Sequence, residues 1–179
     1  PGYTPKSDDD YQPHTVYGES KVITEKIVKE AAFSFSWAIL RPTSIWGPWF
    51  DIPYIDFFKV VLSKKYLHIT GVDTKKTYGY VENAVSQIIG ICENPEKSDG
   101  NVIYIGDTSA YSIREWADEI ASHVPYKVLN VPYWVLASLG RIGDLITTFG
   151  IEFPMTTFRL SNLMTENIHD VRLANELMT

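Results

Sequence analysis

The sequence predicts an α/β protein built on a largely parallel sheet. Three observations carry that prediction. Segments with helical apolar spacing alternate with short runs of apolar and β-branched residues. Pro, Gly and Asn punctuate the boundaries between them. With 45% hydrophobic residues in 179, the chain can bury a sizeable core.

Taken in order, residues 1–13 are polar and turn-rich, carry Asp8-Asp9-Asp10, and read as a loop. A helix from about Thr15 to Ala32 follows from the apolar stripe Val22, Ile23, Ile27, Val28, Ala31 and Ala32. Trp37 to Arg41 is a buried strand feeding a long loop through Pro42 and Gly47-Pro48. A helix is expected over 54–63, a strand over 66–69 and a turn at Gly71-Val72-Asp73. A brief strand over 78–81 leads to a helix over 82–93 that Asn94-Pro95 stops, and 101–105 is a strand of β-branched residues. Ser112-Ile-Arg-Glu115 is a capping box that opens a helix to about His123. A strand over 127–131 ends at Pro132, a first-turn proline opening an apolar helix with Gly150 near its far end. Short helices over 155–162 and 171–178 complete the pattern. No internal repeat and no low-complexity segment is visible.

A formal net charge of −6 and a pI near 5.2 argue against a nucleic-acid partner, which needs a basic surface. Small anions remain open, because a few clustered cations suffice for one phosphate. The single cysteine, Cys92, allows no intrachain disulfide and sits in the apolar run 86–92, where an inert core thiol is expected. The most apolar stretch, 131–151, contains Arg141 and Asp144, so it reads as a buried or amphipathic helix and not as a membrane span. No signal-peptide pattern opens the chain, and a cytoplasmic protein without a membrane partner is expected. His14, His68, His123 and His169 show no ligand spacing with carboxylates or Cys92, so no metal is expected.

Tyr17-Gly-Glu-Ser-Lys21 places a phenol and an ammonium four residues apart, hence on one helix face. A free phenol has a pKa of about 10, too high for proton transfer at neutral pH. An ammonium about 5 Å away, at an effective dielectric near 20, favours the phenolate by ~3 kcal/mol. Such a pair can protonate a carbonyl oxygen or take a proton from an alcohol. An exposed helix pair without function has the same spacing, and a chain with 11 tyrosines holds about one such pair by chance.

Five blocks carry a wider pattern: Thr15-Val-Tyr17-Gly-Glu-Ser-Lys21 with Leu40-Arg41-Pro42-Thr43-Ser44-Ile45-Trp46-Gly47-Pro48, then Leu67 to Gly71, Lys76 to Ala84, Val102 to Gly106, and Ser112 to Ala117. In order and spacing, over roughly 14–122, they resemble the extended short-chain dehydrogenase/reductases, which include nucleotide-sugar epimerases and dehydratases. The resemblance implies the C-terminal part of a Rossmann-like doubly wound sheet plus a small, mostly helical substrate lobe. It implies Tyr17 as acid/base, with Lys21 as its electrostatic partner and ribose ligand. Pro42 and Thr43 would lie at the nicotinamide carboxamide, so Tyr17, Lys21, Pro42 and Thr43 are the expected cofactor contacts, with NAD as cofactor and NADP possible. Ser44 and Trp49 would meet substrate, Trp49 by stacking on a ring, although packing in the interior is an equal reading for it. Lys76 falls where many members carry an arginine on a substrate diphosphate, and a solvated turn is an equal reading for it.

The resemblance divides the chain into a Rossmann part over 1–46, a substrate-lobe insertion over 47–75, a Rossmann return over 76–122 and a C-terminal lobe over 123–179. It also implies something missing. No Gly-x-Gly-x-x-Gly or Gly-x-x-Gly-x-x-Gly occurs in the chain, and Gly140-Arg-Ile-Gly143 lies inside an apolar helix without a preceding strand. The expectation is a piece of a longer enzyme, inactive alone, whose pyrophosphate loop and catalytic Ser or Thr lie upstream. The leading expectation for function is an NAD(P)-dependent epimerase or dehydratase acting on a nucleotide-activated sugar. An alternative, from the apolar stretch after Val131, is a hydroxysteroid-dehydrogenase-like or flavonoid-reductase-like enzyme for a hydrophobic ketone or alcohol. A second is a non-catalytic cofactor-binding scaffold. A homodimer built on the helix bearing Tyr17 is expected.

Overall fold

Residues 5–178 are described by a computed structural model. Residues 1–4 of the expected N-terminal loop, and Thr179, lie outside them. The helices are α1 (Val16–Glu30), α2 (Tyr54–Leu62), α3 (Val81–Glu93), α4 (Pro95–Ser98), α5 (Ile113–Ser122), α6 (Tyr133–Thr147), α7 (Thr157–Met164) and α8 (Arg172–Glu176). The strands are β1 (Ala38–Pro42), β2 (Ser44–Trp46), β3 (Leu67–Ile69), β4 (Lys75–Lys76), β5 (Tyr78–Tyr80), β6 (Asn101–Ile105), β7 (Tyr111–Ser112) and β8 (Leu129–Val131). Three strand pairs are parallel, β1 with β6, β2 with β5 and β3 with β8, while β4 and β7 pair antiparallel. The chain is thus α/β with mainly parallel pairing.

The chain forms two compact units. The first holds 5–47, Tyr78–Thr108 and 169–178. There β1 and β6 align Ala38 with Asn101 through Pro42 with Ile105. Their inward residues join α3 and α8 in one core of Ala84, Ile91, Ile103, Ile105, Ala174 and Leu177. A fully buried aliphatic side chain of this kind stabilises by about 2 kcal/mol. Gly90 lets α8 come this close, since a Cβ there would stand 1.7 Å from the Leu177 carbonyl oxygen.

The second unit holds Pro48–Thr77 and Ser109–Ile168. Ile69, Leu136, Ala137 and Leu160 form its core beneath β3 and β8. A second cluster joins α2 to α5, with Trp116 5.2 Å from Phe57 and 5.8 Å from Phe58, centroid to centroid. The Ser112 hydroxyl caps α5 by accepting from the amides of Arg114 and Glu115. Gly140 and Gly143 admit main chain against α6: a Cβ at Gly143 would stand 1.9 Å from the Met155 carbonyl oxygen. That Gly-x-x-Gly therefore serves helix packing.

Several sequence expectations differ from the structure. Ser109–Ile168 forms one unit with Pro48–Thr77, whereas 76–122 was expected to return to the Rossmann part. The reason is that α5 is tied to the turn after β3. Ser112 donates to Asp73, and Arg114 donates to the carbonyls of Ile69 at 2.8 Å and Val72 at 3.3 Å. Conversely 169–178, expected in the C-terminal lobe, packs α8 on α3 in the first unit. Strands β2, β4 and β7 were not expected, because each is two or three residues long and exists through a distant partner. Pro95, read as a stop, also starts α4 at its first turn. Cys92 is exposed, not a core thiol, because it stands about 100° round α3 from Ile91, outside the buried stripe of Ala84, Gln87 and Ile91. No residue of α1 is buried, and Ile23 and Ile27 of its apolar stripe face solvent.

Candidate active site

Thr15 fixes where α1 begins. Its side-chain oxygen accepts from the Gly18 amide at 3.0 Å, which places Tyr17 in the first turn and Lys21 one turn further. The Lys21 ammonium stands 5.2 Å from the centre of the Tyr17 ring. The spacing has therefore become contact. Tyr17 is 71% exposed, so its phenol is open to a reactant.

Pro42, Thr43 and Ser44 lie where one strand changes partners. Up to Pro42 the chain pairs with β6, and from Ser44 it pairs with β5, Ser44 opposite Tyr78. Thr43 bridges the switch: its amide and hydroxyl both donate to the Ile105 carbonyl, at 3.0 and 2.9 Å. Thr43 thus keeps only oxygen lone pairs for a further partner, which suits the amide protons of a carboxamide. Ligands of open α/β sheets bind beyond the carboxyl ends of the strands, and Pro42 and Thr43 stand at the carboxyl end of β1. The backbones also crowd there, since a Cβ on Gly79 would lie 3.1 Å from the Gly106 Cα.

Gln87 and Asn175 hold that end of β6 in place. Gln87 is fully buried; its amide group donates to the Gly106 carbonyl at 2.7 Å, and its oxygen accepts from the Gly106 amide at 3.1 Å. Asn175 on α8 donates to the same carbonyl at 3.1 Å and accepts from Thr108 at 3.1 Å. Asp107, next along, accepts from the Tyr80 amide at 3.0 Å and the Asn83 side chain at 2.9 Å, bracing the first turn of α3.

A second network locks the segment before α1. Arg41 binds Glu25 through two nitrogens, at 2.9 and 2.6 Å, and also donates to the Tyr104 hydroxyl at 3.0 Å and the Asp8 carbonyl at 2.8 Å. Tyr11 donates to Glu25 at 3.0 Å, and Lys29 donates to Asp9 at 2.7 Å. Hydrogen bonding from Arg41 holds the Glu25 carboxyl below its usual range, against the opposing effect of burial. His169 stacks on Tyr104 at 4.4 Å, and burial, then the Arg41 charge, pull its pKa down. Sequence reasoning missed Glu25, although it continues the four-residue stride Tyr17, Lys21, Glu25, Lys29 along one helix face. It missed Gln87 too, whose signal was a lone amide in the apolar stretch 84–91.

The other two expected site residues lie in the second unit. Trp49 is fully exposed and has φ of +72°, so the interior-packing reading does not hold. A tryptophan held in the left-handed region costs energy that packing does not return here. Lys76 is half-buried, donates to the Asn162 carbonyl at 2.6 Å near the end of α7, and has its pKa lowered by burial. That contact replaces the solvated-turn reading and leaves two ammonium protons for any ligand. Among the described residues no group of His, Cys, Asp and Glu could hold a metal.

Known proteins show the same fold. The structure aligns along 99% of this chain and 51% of the UDP-glucuronic acid 4-epimerase of Bacillus cereus in complex with UDP-glucuronic acid and NAD, with 19% identity and a TM-score of 0.59. It aligns along 98% of this chain and 56% of the human epimerase family protein SDR39U1 (isoform 2) with NADPH, with 12% identity and a TM-score of 0.61. The y4nL protein of Sinorhizobium fredii is 26% identical over 123 residues, 64% of this chain and 34% of that protein. The chain therefore spans about half the length of these structures and a third of y4nL. Residues 1–106 match the NAD dependent epimerase/dehydratase family, and by that match, over more than half its length, the chain belongs to this family.

Proposed function

We propose that this chain carries the acid–base helix and the substrate lobe of an NAD(P)-dependent epimerase or dehydratase acting on a nucleotide-activated sugar. The observation that carries the reading is the Tyr17–Lys21 contact at the exposed start of α1. Tyr17 takes the proton of a substrate hydroxyl as its carbon is oxidised and returns a proton when that carbon is reduced again. Lys21 stabilises the phenolate and binds a ribose hydroxyl, and its field on the ring strengthens once bound ligand excludes water. Oxygen lone pairs of Pro42 and Thr43 receive the carboxamide, while Ser44 and Trp49 contact the substrate. NAD(P) supplies the two-electron acceptor. These residues suit its nicotinamide end, and no glycine-rich fingerprint for the pyrophosphate occurs in the 179 residues.

Lys76 favours a second reading of the substrate. Its ammonium is partly spent on Asn162 and desolvated, which weakens it as a diphosphate ligand. A hydrophobic ketone or alcohol, of the kind hydroxysteroid-dehydrogenase-like or flavonoid-reductase-like enzymes take, needs no such cation. Exposed Ile23 and Ile27 on α1 support a homodimer through that helix. The exposed free thiol of Cys92 supports a reducing, cytoplasmic setting, and no helix among the described residues is long and apolar enough to cross a membrane. The test offers the polypeptide carrying this chain UDP-sugars, with the epimerised or dehydrated product read by chromatography, or hydrophobic alcohols, with NADH formation read by absorbance. Turnover of UDP-sugars that Tyr17→Phe lowers about 100-fold or more supports the first reading. Turnover of hydrophobic alcohols alone supports the second, and equal activity in Tyr17→Phe refutes both.

A further inference from the structure

Arg141 is the one arginine of five with no hydrogen bond or ion pair among the described residues. Arg41, Arg114, Arg159 and Arg172 all spend their guanidinium groups within the chain. Arg141 stands on α6 where that helix packs against α7, and the seam opens into a groove of about 340 Å³. Tyr133, Ala137 and Arg141 line one wall at a four-residue stride, and Leu160, Ser161 and Met164 line the facing wall. The Tyr133 and Ser161 hydroxyls likewise have no side-chain hydrogen bond among the described residues. Ala137 and Leu160 are buried and give the groove an apolar floor. The neighbouring carboxylate, Asp144, already accepts from Thr157 at both oxygens, at 3.1 and 2.5 Å. The groove therefore presents one unspent cation and two unspent hydroxyls over a hydrocarbon surface.

We propose that this groove is a binding site for a small amphipathic oxyanion, a carboxylate or phosphate monoester on a short apolar body. A guanidinium forms paired hydrogen bonds with either oxyanion, and the hydroxyls complete the shell. The apolar floor accepts the hydrocarbon part, and the volume matches the lower end of small-molecule sites, about 300 Å³. The site lies wholly in the second unit and does not rest on the hydride-transfer reading.

The test is an NMR titration of the polypeptide carrying this chain, following the methyl groups of Ala137, Leu160 and Met164. The ligands are hexanoate, hexyl phosphate and, as the uncharged control, hexanol. At least one anion is expected to shift these methyls with a dissociation constant of about 1 mM, and hexanol to bind about tenfold more weakly. Which anion binds identifies the headgroup. Arg141→Gln is expected to weaken binding about tenfold or more and Arg141→Lys to recover part of it. Because Arg141 is exposed and unpaired, both variants are expected to keep the wild-type thermal midpoint. No shift up to about 20 mM anion, hexanol binding as tightly as the anions, or unchanged affinity in Arg141→Gln overturns the proposal.

Discussion

Replacing Gln87 tests how the carboxyl end of β6 is held. The side chain is fully buried and makes two hydrogen bonds with the Gly106 peptide group. Gln87→Leu fills a similar volume but leaves the Gly106 amide without its partner, while the carbonyl keeps Asn175. One orphaned buried donor costs about 2 kcal/mol, so the thermal midpoint should fall by about 4–8 °C in a chain of this length. Gln87→Glu makes the sharper test. Ionised, its carboxylate would face the Gly106 carbonyl oxygen; protonated, it can donate to that oxygen as the amide does. Burial places the folded-state pKa above the unfolded value of about 4.3. The variant should therefore be nearly as stable as wild type below about pH 4.3 and lose stability as pH rises through the folded pKa, by about 1.4 kcal/mol per unit. The assay is urea denaturation followed by circular dichroism from pH 4 to pH 8. A Gln87→Leu variant as stable as wild type, or a Gln87→Glu deficit independent of pH, would refute the reasoning.

Three further predictions concern other parts of the structure. Arg41→Met strands the Glu25 carboxylate and should destabilise by about 2 kcal/mol in urea, between the values for exposed and fully buried pairs. Since the Glu25 pKa is lowered on folding from 4.5, the pair stabilises above that pH and the contribution is lost as pH falls through the folded value; Arg41→Met should flatten this acid limb. Gly143→Ala drives a methyl into the Met155 carbonyl and should cost about 1–3 kcal/mol, with faster proteolysis between α6 and α7, whereas Gly140→Ala, with 3.2 Å to its nearest neighbour, should cost less. Trp49→Gly removes a fully exposed ring from a left-handed position and should raise stability by about 0.5 kcal/mol while weakening substrate binding in a Michaelis–Menten assay.

Much of this architecture was legible in the sequence because local signals carried it. Ser112 marked a helix start, and its cap forms as side-chain hydrogen bonds, while the apolar stripe of 22–32 marked the first helix. The strands β1 and β6 were visible as short runs rich in apolar and β-branched residues, whose inward side chains join the core with α3 and α8. Other features depend on distant partners. Lys75-Lys76 is a strand only because Tyr111-Ser112 lies beside it, and nothing in two lysines announces that. The return of α8 to the first unit depends on the missing side chain of Gly90, which read in sequence as an unremarked residue of a helix. At the site, the Tyr17–Lys21 contact followed from helix geometry alone. The Arg41–Glu25 pair and the Gln87 clamp each join residues from separate elements, so spacing could not reveal them.

Tyr17 is the group proposed to move the proton. The most direct measurement is single-turnover NADH formation in the polypeptide carrying this chain, comparing wild type with Tyr17→Phe at matched cofactor saturation. A loss of about 100- to 10,000-fold in rate at that matched saturation is the predicted result. A Tyr17→Phe protein that forms NADH at the wild-type rate would contradict it.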